Sequence, residues 1–123
     1  RLAIAMTDNY WYNNGWAYNV FTIPPFDRQL KRLVKKFPSL KAEYANLIEE
    51  LEDNPEKGVA LNNSCYKIRL AIASKGKGKS GGARVITHVQ VIENSVYLLC
   101  IYDKSEKADV SDKELNYFLG MID

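Results

Sequence analysis

The chain has 123 residues, 46% of them hydrophobic and 26% charged, which is enough for one domain with a modest core. No apolar run approaches the roughly 20 residues that a membrane-spanning helix needs, and no secretory signal pattern is visible. Both cysteines, Cys65 and Cys100, fall in segments patterned like strands, so we expect buried thiols in a reducing compartment and not a disulfide. With the single histidine they form no recognised metal-ligand spacing.

The first residues differ in character from the rest of the chain. The stretch 1–5 (RLAIA) is identical to residues 69–73, and residues 6–18 are rich in Asn, Tyr and Trp without a clear period. We predict that residues 1–15 are an extension or an expression-derived segment, and that residues 16–123 form a single domain. The alternative is a natural aromatic extension that packs on the sheet.

Helical periodicity marks two segments that follow a short predicted strand at residues 17–23. The repeating apolar positions are Phe26, Leu30, Leu33 and Phe37, and then Leu40, Tyr44, Leu47, Ile48 and Leu51. Pro38 separates the two segments, Ser39 is placed to cap the second, and Asn54-Pro55 ends it. The pair therefore predicts an αα-hairpin.

Three predicted strands follow, at residues 65–73, 84–92 and 95–103, and a last helix over residues 112–121 has Ser111 as its predicted cap. The class is therefore α+β, with an N-terminal strand and an αα-hairpin packed on a small antiparallel sheet and a short C-terminal helix. Alternation along the strands puts four side chains on the face that the helices leave open: Lys67, Arg69, Arg84 and His88. Tyr102 joins them if the strand register allows it.

The loop between the first two of these strands is strongly cationic. Residues 74–84 (SKGKGKSGGAR) hold four positive charges, four glycines and no acid, and residues 67–104 hold seven basic side chains against two acidic ones. Residues 43–56, in contrast, hold six acids and no base. A basic sheet with such a loop suits the phosphates of a nucleic acid. The simpler alternative is a solvated hairpin tip and charges that keep a sheet face soluble.

Such a face could also cleave RNA, which carries its own nucleophile in the 2′-hydroxyl. Arg69 and Arg84 could stabilise the charge that develops on the phosphate. Lys67, predicted to lie among other cations, suits proton transfer because neighbouring positive charge favours the neutral amine. This chemistry needs no metal. A structural role is the favoured interpretation of His88.

Three blocks in this order resemble the RelE/HigB toxins of bacterial type II toxin–antitoxin systems, which belong to the RelE/ParE superfamily. They are residues 65–70 (CYKIRL), 74–86 (SKGKGKSGGARVI) and 98–106 (LLCIYDKSE), and the likeness runs from about Val20 to Met121. The resemblance implies a RelE-like fold. It also implies a metal-independent, cofactor-independent mRNA endonuclease (an mRNA interferase) of the bacterial cytoplasm. The enzyme would cleave mRNA in the ribosomal A site, block translation, and be neutralised by a cognate antitoxin.

The resemblance also assigns the site residues. The catalytic set is Lys67, Arg69, Arg84, Lys104 and Tyr102, and the RNA or phosphate contacts are Lys75, Lys77 and Lys79. Many relatives carry a catalytic tyrosine and an extra arginine near the C-terminus, where residues 105–111 are acidic here. The general base is therefore open among Lys67, Tyr102 and His88, in that order. Two alternatives stand beside the nuclease: a ParE-like toxin that inhibits DNA gyrase by binding, and a non-catalytic RNA-binding module.

Overall fold

The computed structural model describes residues 17–122, so the predicted extension at residues 1–15 lies outside the described part of the chain. In chain order the elements are β1 (Asn19–Thr22), α1 (Pro24–Lys36), α2 (Leu40–Asp53), β2 (Val59–Ala60), β3 (Cys65–Leu70), β4 (Ala83–Gln90), β5 (Ser95–Asp103) and α3 (Asp112–Leu119). The predicted α+β class, the αα-hairpin and the short last helix are confirmed.

The five strands form one sheet in the order β1-β5-β4-β3-β2. All neighbours are antiparallel except β1, which runs parallel to β5. The short strand β2 was not predicted, and β3 ends at Leu70 instead of residue 73. After β3 the chain forms a 3₁₀ turn over Ala73–Lys75 instead of continuing the strand. The backbone N–H of Ala73 donates to the Glu43 carboxylate of α2 at 2.7 Å, which ties this turn to the helix.

The helices α1 and α2 cover one face of the sheet and enclose the core. Phe26 and Leu33 of α1 and Leu47 of α2 are fully or almost fully buried, and the Phe26 and Tyr44 rings lie 5.8 Å apart across the hairpin. Ser39 occupies the N-cap position of α2, but the predicted capping hydrogen bond is absent. Its hydroxyl instead contacts Ser74 and Glu43, which ties the hairpin to the turn after β3.

The helix α3 packs against the opposite face, where Leu115 and Phe118 are buried. Its predicted cap is confirmed: the Ser111 hydroxyl accepts from the Glu114 N–H at 3.1 Å, and the Glu114 carboxylate accepts from the Ser111 N–H at 2.9 Å. The segment of residues 104–111, named here the bridge loop, leads from β5 to α3. It therefore crosses the face on which the basic residues were predicted.

Both cysteines are buried free thiols, as the sequence predicted. Burial raises the pKa of Cys65 to about 11 and that of Cys100 to about 12. The thiols therefore stay protonated and unreactive near neutral pH. Among residues 17–122, no helix is both long and apolar enough to cross a membrane.

Candidate nucleic-acid interface

Strand register places the predicted basic side chains together. Arg69 of β3 lies directly opposite Arg84 of β4, and Arg84 lies opposite Tyr102 of β5. Residues opposite each other in an antiparallel pair point to the same face, with Cβ atoms roughly 4.5–5.5 Å apart. Lys67 stands two residues before Arg69 and shares that face. The three basic side chains and Tyr102 are together named the basic cluster.

His88 lies on the same face but apart from the basic cluster. It is four residues beyond Arg84 on β4, which corresponds to about 13 Å along a strand. Its Nδ1 atom lies 3.7 Å from the Cys65 Sγ atom, opposite it in the register. The structure therefore does not bring this candidate base to the arginines.

The guanidinium of Arg84 is held by backbone carbonyls of the cationic loop of residues 74–84, named here the lysine-rich loop. Its Nη1 group donates to the carbonyls of Lys79 at 3.0 Å and Ala83 at 3.2 Å, and its Nη2 group donates to that of Ser80 at 3.4 Å. A guanidinium has five N–H donors, so about two remain for a ligand. The loop thus fixes the orientation of Arg84 before any ligand binds.

The prediction that Arg84 lies on an open face is wrong. Arg84 is only 5% exposed and Tyr102 only 6% exposed. Residues 79–80 of the lysine-rich loop lie against the Arg84 guanidinium, and Lys107 and Asp109 of the bridge loop lie against Tyr102. Strand alternation cannot show this cover, because it depends on the paths of the two loops. Arg69, by contrast, is exposed and has no polar partner among the described residues.

Asp109 of the bridge loop contacts the basic cluster at Lys67 and Tyr102, and sequence reasoning missed it. One of its carboxylate oxygens, Oδ1, accepts from the Lys67 ammonium at 3.2 Å, the Tyr102 hydroxyl at 3.4 Å and the Val110 N–H at 2.8 Å. These donors, the Val110 N–H first, hold the pKa of Asp109 below its ordinary value. The sequence feature that pointed to Asp109 is the acidic character of residues 105–111, which the sequence analysis treated only as a difference from related toxins.

Asp109 also changes the surroundings expected for Lys67. The sequence argument placed Lys67 among cations, but the atom hydrogen-bonded to its ammonium belongs to a carboxylate. Lys67 does share its face with Arg69 and Arg84, as predicted, but the paired carboxylate removes the purely cationic surroundings on which that argument depended. In this structure Lys67 acts as a hydrogen-bond donor.

Tyr102 is also a donor at this site. Burial raises the pKa of its hydroxyl, and the negative charge of Asp109 raises the pKa further. The hydroxyl therefore stays protonated at neutral pH. Its hydrogen bond to Asp109 links β5 to the bridge loop.

The three lysines of the lysine-rich loop lie in different environments. Lys77 and Lys79 are exposed, and their ammonium groups have no partner among the described residues. The Lys75 side chain is 7% exposed; its ammonium donates to the Asp103 carboxylate at 2.5 Å and to the Ser105 hydroxyl at 2.9 Å. Asp103 alternates with Tyr102 and so points to the α1 side of the sheet, where Lys36 approaches it to 3.8 Å. Lys75 is therefore separated from the basic cluster.

We expect the substitution Asp103→Asn to destabilise the protein by about 3 kcal/mol, because it leaves the buried Lys75 ammonium without its counter-ion. Burial is the largest single effect and raises the pKa of Asp103, but the hydrogen bonds from Lys75 and the Ser105 N–H and the positive charges of Lys75 and Lys36 together outweigh it, and the net pKa is lowered. The stabilisation is therefore complete at neutral pH and is lost as the pH falls below about 4. Urea unfolding at pH 7 and pH 3 measures both effects. Equal losses for Asp103→Asn and for Asp53→Asn, an exposed position, would contradict this account.

Lys104 connects the bridge loop to the lysine-rich loop. Its ammonium donates to the Ala108 carbonyl at 2.9 Å, and its backbone N–H donates to the Gly82 carbonyl at 3.0 Å. Gly82 is required here because a Cβ atom would lie 2.2 Å from the Leu70 carbonyl oxygen. The two loops therefore meet at the end of β3, beside Arg69.

No group of three His, Cys, Asp or Glu side chains within residues 17–122 is arranged to hold a metal ion. The chemistry that the described site offers is that of cations, a phenol and a carboxylate. Together they can bind a phosphate, donate hydrogen bonds to it and accept a proton close by.

Comparison with known proteins identifies relatives of this fold. A family model described as the RelE toxin of the RelE/RelB toxin–antitoxin system matches residues 26–122. The chain is similar to a double arginine-to-alanine mutant of Escherichia coli toxin RelE in the free state, with 14% identity and a TM-score of 0.57 over 86% of this chain and 98% of that one. It is also similar to the Mycobacterium tuberculosis RelBE2 toxin–antitoxin complex, with 15% identity and a TM-score of 0.50 over 79% and 99% of the two chains.

Proposed function

The chain belongs to the RelE toxin family, and from this premise we propose that it is an mRNA endonuclease that cuts mRNA in the ribosomal A site and so stops translation. One observation carries the proposal. Arg84 is oriented by loop carbonyls with donors to spare and lies opposite Arg69 and Tyr102 in the strand register, and the Asp109 carboxylate on the same face contacts Lys67 and Tyr102. This arrangement supplies charge stabilisation and a proton acceptor at one place.

The proposed reaction uses the 2′-hydroxyl of the RNA. Its oxygen bonds to the adjacent phosphorus, the bond from phosphorus to the 5′-oxygen breaks, and a 2′,3′-cyclic phosphate forms. Arg69 and Arg84 stabilise the charge on the phosphate oxygens, since guanidinium groups bind phosphate through two parallel hydrogen bonds. Asp109 accepts the proton of the 2′-hydroxyl, and Lys67 donates a proton to the departing 5′-oxygen.

These roles revise the order of candidate bases. Lys67 ranked first, but its ammonium donates to Asp109, and the raised pKa makes Tyr102 a donor as well. The Asp109 carboxylate accepts from both Lys67 and Tyr102, and its lowered pKa keeps it unprotonated at neutral pH. We therefore assign proton acceptance to Asp109, and we assign Tyr102 the task of holding that carboxylate in place.

Arg84 is almost fully covered and its guanidinium lies against residues 79–80 of the lysine-rich loop, so in the proposal the phosphate reaches its unused donors when the surrounding loops move. The Lys67–Asp109 ion pair is partly exposed, and such pairs contribute at most about 1 kcal/mol. An RNA phosphate can replace the carboxylate on Lys67 at little cost. In the proposal the replacement of Asp109 by phosphate on Lys67 moves the bridge loop outward and leaves Asp109 next to the ribose.

A cognate antitoxin is the proposed inhibitor, as in the M. tuberculosis complex, whose toxin–antitoxin assembly contains a similar fold. An acidic segment of the antitoxin would cover Arg69 and the lysine-rich loop, and complementary charge would set its association rate and salt dependence. A complex that contacts α1 and α2 alone and leaves Arg69 open would exclude direct masking.

The gyrase-binding alternative is not favoured, because the family model that matches residues 26–122 describes RelE toxins. The proposed compartment is the bacterial cytoplasm, where ribosomes and mRNA are present. The non-catalytic RNA-binding module remains as an outcome of the test below.

The test compares the protein with its Arg69→Gln variant in a purified translation system, with mRNA 5′ ends mapped. Arg69 is exposed and has no partner among the described residues, so its loss leaves the fold intact. Arg28→Gln, an equally exposed arginine on α1, is the matched control. We expect discrete cuts at ribosome-occupied codons that Arg69→Gln loses and Arg28→Gln keeps. Blocked translation with intact mRNA would instead show binding without cleavage, and unaffected translation would overturn the proposal.

A further inference from the structure

A second group of cations lines a shallow pocket at the β2 edge of the sheet. The pocket has a volume of about 210 Å³, and its charged lining residues are Lys57, Lys67, Arg69 and Lys79. Among the residues of the described range 17–122 that line it, none carries a carboxylate. Lys57 lies in the turn between α2 and β2, and nothing in the sequence pattern had connected it with the basic cluster.

A glycine explains how Lys57 comes to this position. Gly58 has φ +105°, and a Cβ atom there would lie 2.5 Å from the Lys67 carbonyl oxygen. Only glycine allows the chain to pass so close to β3 with this backbone conformation. Val59 then pairs with Lys67 in the sheet, so Lys57 is held beside the strand that carries Lys67 and Arg69.

Of the four cations around this pocket two are unpaired within residues 17–122, and the other two form partly exposed ion pairs, Lys67 with Asp109 at 3.2 Å and Lys57 with Glu50. Arg69 and the Lys79 ammonium have no partner among the described residues. Lys57 contacts only the carboxylate of Glu50 there, at 3.7 Å, and an exposed pair of this length contributes at most about 1 kcal/mol. Uncompensated cations that converge on a pocket are suited to an anion.

Acidic side chains of α2 limit the pocket on one side. An adjoining pocket of about 270 Å³ shares Lys57, Arg69 and Lys79 but is also lined by Glu43 and Glu50 of α2. A polyanion is therefore repelled from α2 and directed toward β3. Arg69 belongs both to the edge pocket and to the pair with Arg84, so the two sites are continuous.

We infer that the edge pocket lined by Lys57, Lys67, Arg69 and Lys79 binds an RNA backbone phosphate adjacent to the one that is cleaved. The inference rests on the proposed function and adds the direction of the RNA, which runs from Arg84 across Arg69 to Lys57. RNA is favoured over an acidic peptide because each of the two continuous sites presents cations to a compact anion. Arg69 belongs to both sites, and its guanidinium can bind a phosphate through two parallel hydrogen bonds. A nucleic-acid backbone presents phosphates at regular intervals.

The test measures the binding of a short 2′-O-methyl RNA by fluorescence anisotropy between 50 and 200 mM salt. This RNA has no free 2′-hydroxyl, so the result is independent of whether the protein cleaves RNA. We expect Lys57→Gln to weaken binding several-fold and to reduce the slope of log affinity against log salt by about 0.7, the value for one lost contact to a single strand. Lys41→Gln, an exposed lysine on α2 that lines neither pocket, should change neither quantity.

Lys57→Arg should restore the slope, because it keeps the charge, and this shows that a loss in Lys57→Gln is not caused by misfolding. Equal slopes for Lys57→Gln and Lys41→Gln would overturn the inference. It would also be overturned if a polyglutamate peptide, but not RNA, bound in a Lys57-dependent manner. Failure of the proposed function is separate: it would appear as unmodified mRNA that stays intact in the translation assay while Lys57-dependent binding of the 2′-O-methyl RNA is retained.

Discussion

Replacing Arg84 by glutamine is expected to slow mRNA cleavage by about 10²–10³-fold, the loss typical of removing a pre-oriented donor of transition-state hydrogen bonds. The structure gives the reason. Carbonyls of the lysine-rich loop fix the guanidinium with part of its donors unused, so its orientation is established before substrate binds. Single-turnover cleavage of ribosome-bound mRNA measures this effect.

The substitution also has a structural cost, which must be measured separately. Without the guanidinium, the carbonyls of Lys79, Ser80 and Ala83 lose a charged donor, and we expect a loss of about 1–3 kcal/mol in unfolding free energy. Arg84→Lys keeps the charge but cannot serve three carbonyls and a phosphate together, so it should also be slow. If Arg84→Lys cleaved at the unchanged rate, point charge alone would suffice and the role of the oriented guanidinium would be refuted.

Asp109→Asn is expected to lower the cleavage rate at saturating RNA by about 10²-fold, the lower end of what a positioned general base contributes. RNA affinity should not fall, and we expect it to rise, because the substitution removes a negative charge hydrogen-bonded to Lys67. The amide has nearly the same shape, and its oxygen can still accept from the Val110 N–H. Rates measured over a range of RNA concentrations separate the two effects.

The pH dependence provides an independent test of Asp109. A base must be deprotonated to act, and the pKa of Asp109 lies below its ordinary value. At subsaturating RNA, where the pH profile reports the free protein, the rate should therefore be insensitive to this group above about pH 5 and should fall only below about pH 4. A variant Asp109→Asn that bound RNA more tightly and also cut it faster would show that the carboxylate merely competes with phosphate.

Local sequence patterns were sufficient for several parts of this protein. Periodicities of about 3.6 and 2 residues identified the αα-hairpin and the faces of β3 and β4, because these periods follow from helix and strand geometry. The capping box at Ser111 and Glu114 is likewise a contact between near neighbours. The quoted motifs identified the family that the family model confirms. The roles of the site residues remain predictions.

The environment of each charged group depended on tertiary structure. Lys75 and Lys77 are indistinguishable in the sequence, yet Lys75 is buried against Asp103, which lies 28 positions away. Asp109 reaches Lys67 across 42 positions, and Gly58 brings Lys57 to the same strand. Such contacts depend on strand register and loop path, and these are set by packing of the whole core. For that reason the sequence identified the face that carries the cations, and the fold decided which cations remain available and which carboxylate stands among them.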